Sequence, residues 1–189
     1  MSDEGPGTPA VDECVRVPTA AQMRNLGTRL AGLLRPGDLV VLSGQLGAGK
    51  TTLTQGIGAG LGVRGPVTSP TFVIARVHPS LHGGPDLVHA DAYRLGSRAE
   101  VDDLDLDTDV DSSVTVVEWG EGLVEDLAPS FLEVAIAPVP ASARRDHDDA
   151  TGSEGGDETR TVRVAGWGDR WRQAAPAVRL ALSGLPGSP

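Results

Sequence analysis

Residues 44–51 constrain the fold more than any other stretch, because they join three glycines to the only lysine of the chain. An apolar run precedes them at residues 39–43, of the kind that a buried parallel strand shows. Apolar residues then recur at helical spacing over residues 50–61. Few motifs place a glycine-rich loop between a strand and a helix in this order. The sequence therefore predicts a strand, a loop that can surround an anion, and a helix in direct succession.

The eight residues Gly44-Gln45-Leu46-Gly47-Ala48-Gly49-Lys50-Thr51 match the pattern G-x-x-x-x-G-K-[ST]. Glycines free the backbone N–H groups to surround phosphate oxygens, and the dipole of the following helix favours negative charge. The other fifteen basic residues are all arginines, so lysine is kept where a compact ammonium fits between phosphate oxygens. The Thr51 hydroxyl is a predicted Mg²⁺ ligand. The predicted nucleoside triphosphate site consists of Gly47, Ala48, Gly49, Lys50, Thr51 and Thr52.

The base is predicted from a motif that the chain lacks. Guanine-specific proteins with such a loop commonly bind the base through an Asn-Lys-x-Asp segment. That segment cannot exist here, since the one lysine is already part of the phosphate loop. We therefore expect ATP, and not GTP, as the ligand.

The composition fits one domain without a membrane segment. With 189 residues, 39% of them hydrophobic and 3% aromatic, the chain can form one core that consists mostly of Leu, Val, Ala and Ile. Cys14 is the only cysteine, so an intrachain disulfide and a cysteine-based metal site are both excluded. There is no apolar run of roughly 20 residues, and the acidic N-terminus lacks the features of a secretory signal. We expect a cytoplasmic protein.

The formal net charge of −10 argues against a large nucleic-acid surface, because affinity for a phosphate backbone requires basic side chains. Much of the acid is concentrated at residues 102–109 and 146–149. A local basic patch elsewhere stays compatible with the sequence.

The alternation of strands with helices indicates a three-layer α/β P-loop fold, with a mostly parallel central sheet flanked by helices. Residues 1–12 are interpreted as a disordered leader, 13–180 as one ATPase domain and 181–189 as a tail. The acid- and glycine-rich residues 141–159 predict a flexible insertion. The predicted strands cover residues 15–17, 39–43, 72–77, 87–91, 114–118, 132–136 and 160–164, and the predicted helices start at Thr19 (as N-cap), Lys50, near residue 97 and at Trp167.

Two acidic residues close predicted strands, where P-loop proteins hold a carboxylate for Mg²⁺. Asp91 closes the strand 87–91, and Glu118 closes the strand 114–118. A single acid at a strand end is as often a solvated charge, but two in one such chain favour a catalytic pair. One acid is expected to hold the metal while the other orients the attacking water or accepts its proton. The sequence leaves open which acid has which role.

Four segments resemble the TsaE family, also called YjeE, whose members are bacterial ATPases required for threonylcarbamoyladenosine modification of tRNA. The first is the phosphate loop, and the second is Thr68-Ser69-Pro70-Thr71-Phe72. The third is His89-Ala90-Asp91-Ala92-Tyr93-Arg94-Leu95, and the fourth is Val117-Glu118-Trp119-Gly120-Glu121. Order and spacing both agree over roughly residues 15–137. Gln45 departs from the family, which commonly has Asp there.

The resemblance implies roles for matching residues. Lys50 and the loop backbone would hold the phosphates, and Thr51 and Glu118 would ligate Mg²⁺. Asp91 would be a second essential acid near the γ-phosphate. Ser69-Pro70-Thr71 would form a switch-like loop that senses that phosphate.

Three neighbouring side chains are interpreted separately. The resemblance places Trp119 at the nucleotide pocket, although a tryptophan at a strand end is more often part of a core. Arg94 would contact a phosphate, a partner, or the acidic run nearby. His89 is interpreted as a packed strand residue without a catalytic role.

The resemblance also implies partners, namely the TsaD and TsaB proteins that carry out threonylcarbamoyl transfer. ATP hydrolysis would reset that assembly between turnovers, and tRNA would be contacted indirectly, through the partners. Two other functions fit the motif. A small-molecule kinase would need an acceptor pocket and an arginine-bearing lid, for which Arg144 and Arg145 are the candidates. A nucleotide-gated binding module would need no turnover.

Overall fold

The computed structural model describes residues 7–69, 75–93, 112–138 and 159–185. These residues form a sheet, three α-helices and a single-turn 3₁₀ helix at Glu125–Leu127. The strands are β1 (Val11–Val17), β2 (Leu39–Gly44), β3 (Ala75–His78), β4 (Asp86–Asp91), β5 (Ser113–Glu118), β6 (Phe131–Pro138) and β7 (Arg160–Trp167). The helices are α1 (Ala20–Ala31), α2 (Lys50–Leu61) and α3 (Asp169–Leu182).

The seven strands form one mixed sheet in the order β1-β7-β6-β2-β5-β4-β3. Its centre is parallel, because β2 pairs in parallel with both β6 and β5, and β5 pairs in parallel with β4. The outer pairs β1–β7, β7–β6 and β3–β4 are antiparallel. The carboxyl ends of β2, β5 and β4 therefore meet at one edge of the sheet, where α/β proteins usually bind ligands.

The larger apolar cluster lies between one face of the sheet and all three α-helices. Helix α1 begins at the predicted N-cap, Thr19, whose Oγ1 accepts a hydrogen bond from the Gln22 amide at 3.2 Å. Its apolar face packs Met23, Leu26 and Leu30 into this core.

Helices α1 and α2 touch through their backbones. A Cβ on Gly56 would overlap the carbonyl oxygen of Arg24, and a Cβ on Gly27 would overlap that of Leu53. Only glycine allows such an approach. The close contact fixes helix α2, and with it the loop that precedes it.

The opposite face of the sheet carries a smaller cluster around Leu39, Val41 and Val88. The segment that includes the 3₁₀ helix packs against it through Val124 and Ala128. Within the described ranges, no helix is long and apolar enough to cross a membrane.

Most predicted elements agree with the structure to within one or two residues, but two boundaries were wrong. Strand β1 begins at Val11 and not at Val15, since it pairs with β7 along its whole length. Trp167 ends β7 and does not begin a helix, because Gly168, at φ 83°, breaks the chain direction before α3. Several predictions lie wholly or partly outside the described residues: the leader at 1–6, the strand start at 72–74, the acidic helix at 97–111, the insertion at 141–158 and the tail at 186–189.

Candidate nucleotide-binding site

The phosphate loop connects the end of β2 to the start of α2. Gly44, Gly47 and Gly49 all have positive φ, at 138°, 77° and 112°. L-amino acids with a side chain rarely adopt such angles, so the pattern of glycines is what permits this path. Gly49 caps α2 without a side-chain hydrogen bond, and the first turn of α2 contains no acidic residue. The amides at this helix end are thus oriented towards an anion.

Lys50 is 4% exposed and folds back over its own loop. Its Nζ donates hydrogen bonds to the carbonyl oxygens of Gly44 at 2.7 Å and Gln45 at 3.1 Å. Burial lowers the pKa of Lys50, while the charges of Glu118 and Asp91 oppose that shift. The ammonium is thus held at the loop by two carbonyl oxygens, with two carboxylates nearby, in a position from which it could contact a phosphate bound there.

Thr51 and Glu118 form a direct contact between α2 and β5. The Thr51 hydroxyl is 2.9 Å from Oε1 of Glu118 and 3.3 Å from Oε2. Because a carboxylate only accepts hydrogen bonds, the hydroxyl donates its proton and keeps its lone pairs available to a cation. Glu118 is 3% exposed, so its charge is directed into the site and not into solvent.

Asp91 lies beside Glu118 in the register of the two parallel strands. Such strands are roughly 4.8 Å apart, and paired residues project to the same face of the sheet. Asp91 is partly exposed, and its Oδ1 accepts a hydrogen bond from the Tyr93 amide at 2.9 Å. The two predicted acids are thus brought to one edge together with the phosphate loop.

Trp119 follows Glu118 and covers the lysine. Nζ of Lys50 is 3.7 Å from the centroid of the Trp119 ring, a cation–π contact. Trp119 has φ 61°, an uncommon conformation for a bulky residue, and its amide donates to the Leu42 carbonyl oxygen at 2.8 Å. The ring centroid of Tyr93 lies 5.1 Å from that of Trp119. The two aromatic rings therefore form one wall of the site.

A cavity of about 210 Å³ borders the other side of the phosphate loop. Ala20, Met23 and Ala48 supply apolar surface, and Arg160 adds a cation. Its remaining lining residues are Thr19, Gly47, Gly49 and Thr52. A cavity of mixed polar and apolar lining beside the amides of this loop suits the nucleoside part of a nucleotide.

The donor set at this edge suits Mg²⁺, which favours oxygen ligands and keeps several waters. It consists of the Thr51 hydroxyl and the Glu118 carboxylate, and the Asp91 carboxylate lies on the neighbouring strand beside them. No cluster of three or more His, Cys, Asp or Glu side chains suited to a metal occurs among the described residues. Two protein oxygen ligands would leave other positions of a bound Mg²⁺ open for waters and phosphate oxygens.

Comparison with known proteins identifies the family of this chain. The model of the family described as "Threonylcarbamoyl adenosine biosynthesis protein TsaE" matches residues 17–146. The chain belongs to the TsaE family. The TsaE protein of Streptomyces coelicolor is 60% identical over 157 residues, which cover 82% of this chain and 98% of that protein. TsaE of Mycobacterium tuberculosis is 49% identical over 136 residues, which cover 68% of this chain and 81% of that protein.

A crystal structure of YdiB from Bacillus subtilis is similar to the whole fold, with a TM-score of 0.65 at 26% identity. The match covers 88% of this chain and 93% of that one. It confirms the predicted α/β P-loop fold with a parallel centre of the sheet. The TsaE family takes part in tRNA threonylcarbamoyladenosine biosynthesis, and the matched range, residues 17–146, spans the positions of Lys50, Thr51, Asp91 and Glu118.

Two residues at the site were not predicted. Arg160 reaches the cavity because β7 lies near the start of α1, which no local pattern indicates. His89 contacts Glu118, although it was interpreted as a simple packing residue. A signal for His89 was present, since residues two apart in a strand share a face and His89 precedes Asp91 by two. Pro70, Thr71 and Arg94 lie outside the described residues, and so do Arg144 and Arg145.

Proposed function

We propose that this chain is a Mg²⁺-dependent ATPase that acts with TsaD-like and TsaB-like proteins in forming threonylcarbamoyladenosine on tRNA, in the cytoplasm. The observation that carries the proposal is the convergence of Lys50, the Thr51–Glu118 pair and Asp91 at the carboxyl edge of the sheet. Membership in the TsaE family supplies the pathway.

Each residue of the loop has a defined task in this proposal. Lys50 exchanges the Gly44 and Gln45 carbonyl oxygens for oxygens of the β- and γ-phosphates, and the amides of residues 47–52 donate to the remaining oxygens. The nucleoside occupies the cavity beside the loop. Thr51 and Glu118 hold the cation, which neutralises charge on the phosphates when bound.

The two acids differ in burial and in contacts, and this difference supports a separate role for each. Oε1 of Glu118 already contacts both the Thr51 hydroxyl and the His89 ring, and Glu118 is 3% exposed. Asp91 is partly exposed, and neither Thr51 nor His89 forms a hydrogen bond with its carboxylate. Asp91 is therefore the better placed acid to orient the attacking water and accept its proton.

The assignment of the acids is tested with isosteric variants. Glu118→Gln is expected to weaken binding of a non-hydrolysable ATP analogue in the presence of Mg²⁺ but not in its absence. Asp91→Asn is expected to leave both affinities unchanged and to reduce phosphate release by about 100-fold or more, the typical contribution of a general base. Calorimetry and a phosphate-release assay measure the two effects. The reverse pattern would exchange the two roles.

The pathway is tested by association. The chain should retain TsaD and TsaB in a pull-down with ATP and Mg²⁺, and lose them without nucleotide. Supplying ATP together with nucleosides and sugars should give free phosphate and no phosphorylated acceptor, which distinguishes an ATPase from a kinase. If variants without hydrolysis still supported tRNA modification, the chain would act as a binding module. Failure to associate under every nucleotide condition would contradict the proposed role.

A further inference from the structure

His89 is a polar side chain in the most deeply buried part of the sheet. It is 0% exposed and lies on β4, between Arg76 of β3 and Val116 of β5 in the strand register. Burying an imidazole without hydrogen-bond partners costs free energy, so the partners of both ring nitrogens matter. Its Nε2 is 2.9 Å from Oε1 of Glu118. Its Nδ1 has no hydrogen-bond partner among the described residues.

The hydrogen-bond pattern assigns the ring tautomer. The carboxylate of Glu118 only accepts, so Nε2 of His89 is the donor. In the neutral ring, Nδ1 then carries the lone pair and not the proton. The ring cannot reach a nucleotide, since it is fully buried behind Glu118. His89 therefore acts on the site only through that carboxylate.

We propose that His89 is a positioning residue that holds the Glu118 carboxylate in the orientation that Thr51 and Mg²⁺ require. Oε1 of Glu118 is held from two sides, by His89 at 2.9 Å and by Thr51 at 2.9 Å. A carboxylate fixed at one oxygen loses little freedom when it engages a cation, and outer partners of this kind contribute about 10–100-fold to metal affinity or activity. The inference rests on the function proposed above.

The chain provides a matched control in His78. This histidine is also buried, at 4% exposure, and its Nε2 also lacks a partner among the described residues. It lies on the neighbouring strand β3, where it pairs with Leu87 and does not contact Glu118. Replacing either histidine by leucine removes a buried imidazole, but only one replacement removes a donor to Glu118.

The test compares His89→Leu with His78→Leu, using a non-hydrolysable ATP analogue as the probe. Calorimetry is performed with Mg²⁺ and with a chelator in its place. We expect His89→Leu to retain the affinity without Mg²⁺, because Lys50 and the loop are intact. We expect it to lose about 10–100-fold of affinity with Mg²⁺ and to need a correspondingly higher Mg²⁺ concentration for half-maximal phosphate release. His78→Leu should match the wild-type protein in both conditions.

A second pair of variants covers the case in which leucine prevents folding. The amide nitrogen of His89→Gln lies at about the same reach as Nε2 and can donate to Glu118, whereas that of His89→Asn is too short. Gln should therefore restore the Mg²⁺ dependence and Asn should not. Equal behaviour of Gln and Asn, or an unchanged Mg²⁺ effect in His89→Leu, would overturn the inference. A wild-type chain that binds no ATP would instead refute the proposed function, and this inference with it.

Discussion

The sheet has a parallel half, formed by β2, β5 and β4, and an antiparallel half, formed by β6, β7 and β1 with α3 packed on it. The two halves use polar side chains in different ways. In the parallel half, Lys50, His89 and Glu118 are each less than 5% exposed; Lys50 and Glu118 contact the phosphate loop, and His89 contacts Glu118. In the antiparallel half, the ion pairs of β1 lie at or near the surface, as between Arg163 and Asp12, whose side chains are 38% and 46% exposed, although Arg170 of α3 pairs with the buried Asp38. Arg179 and Glu13 form a second such pair across α3 and β1.

The difference indicates which half is built for ligands. Exposed ion pairs contribute about 0–1 kcal/mol, so the antiparallel half depends on apolar packing for its stability. Buried charges cost free energy unless they are paired, so the buried charges of the parallel half would lower stability if that half served only to hold the fold together. The proposed nucleotide and Mg²⁺ would complete the contacts of the buried polar groups in that half. Four substitutions test this division.

The largest effect is expected in the antiparallel half, at Trp171. This side chain is fully buried on α3 against Gly166 of β7. Trp171→Ala should lower the free energy of unfolding by about 3–5 kcal/mol, as for other large core truncations, while the folded protein keeps its affinity for ADP. Urea unfolding measures the change. Leu180→Ala, on the same helix at 75% exposure, should change stability by less than about 0.5 kcal/mol.

The next effect is expected in the parallel half, at Lys50. Lys50→Ala removes the ammonium that is positioned for phosphate, and hydrogen bonds to charged groups contribute about 1.5–3 kcal/mol. ADP affinity should therefore fall by roughly 10–150-fold in calorimetry. Arg163→Ala removes a cation from the other half and should leave affinity unchanged. Equal losses in both variants would indicate a general effect of charge and not a site.

A smaller effect is expected from pH. Burial lowers the pKa of Lys50, and only its protonated form attracts phosphate. As pH rises, the affinity for ADP should therefore begin to fall at a lower pH than it would if Lys50 had the pKa of an ordinary, exposed lysine. Bound phosphate favours the charged form, so binding in this range takes up a proton. Calorimetry in two buffers with different heats of ionisation measures the uptake, which Lys50→Ala should abolish.

The smallest effect is expected from the exposed pair in the antiparallel half. Arg163→Ala removes the contacts of Arg163 Nε and the second guanidinium nitrogen with Asp12, at 2.8 and 2.9 Å. The free energy of unfolding should fall by no more than about 1 kcal/mol, and high salt should reduce the difference further. A loss comparable to that of Trp171→Ala would show that the two halves are not divided as described.

Local signals in the sequence predicted the elements that carry the site. The glycine pattern and flanking apolar runs defined β2 and α2 to within one residue, because phosphate loops require a fixed local order. Asp91 and Glu118 were found because each closes a short apolar run that is typical of a buried strand. The start of β1 and the end of β7 were missed, since both depend on pairing between strands about 150 residues apart.

The contacts within the site depend on register and not on composition. The interaction of His89 with Glu118 requires β4 and β5 to be neighbours, and the cation–π contact requires Trp119 to adopt a positive φ. Arg160 reaches the cavity only because β7 folds back beside α1. These contacts arise from the assembled sheet, and the local sequence indicates only that His89 shares a face of its strand with Asp91.

The single lysine has a practical consequence for chemical labelling. Amine-directed reagents have only one side-chain target in this chain, and it lies under an indole ring at the centre of the phosphate loop. Acylation at that position would neutralise the charge on which phosphate recognition depends. A bound nucleotide would shield the amine, so the extent of modification reports how much of the protein is occupied.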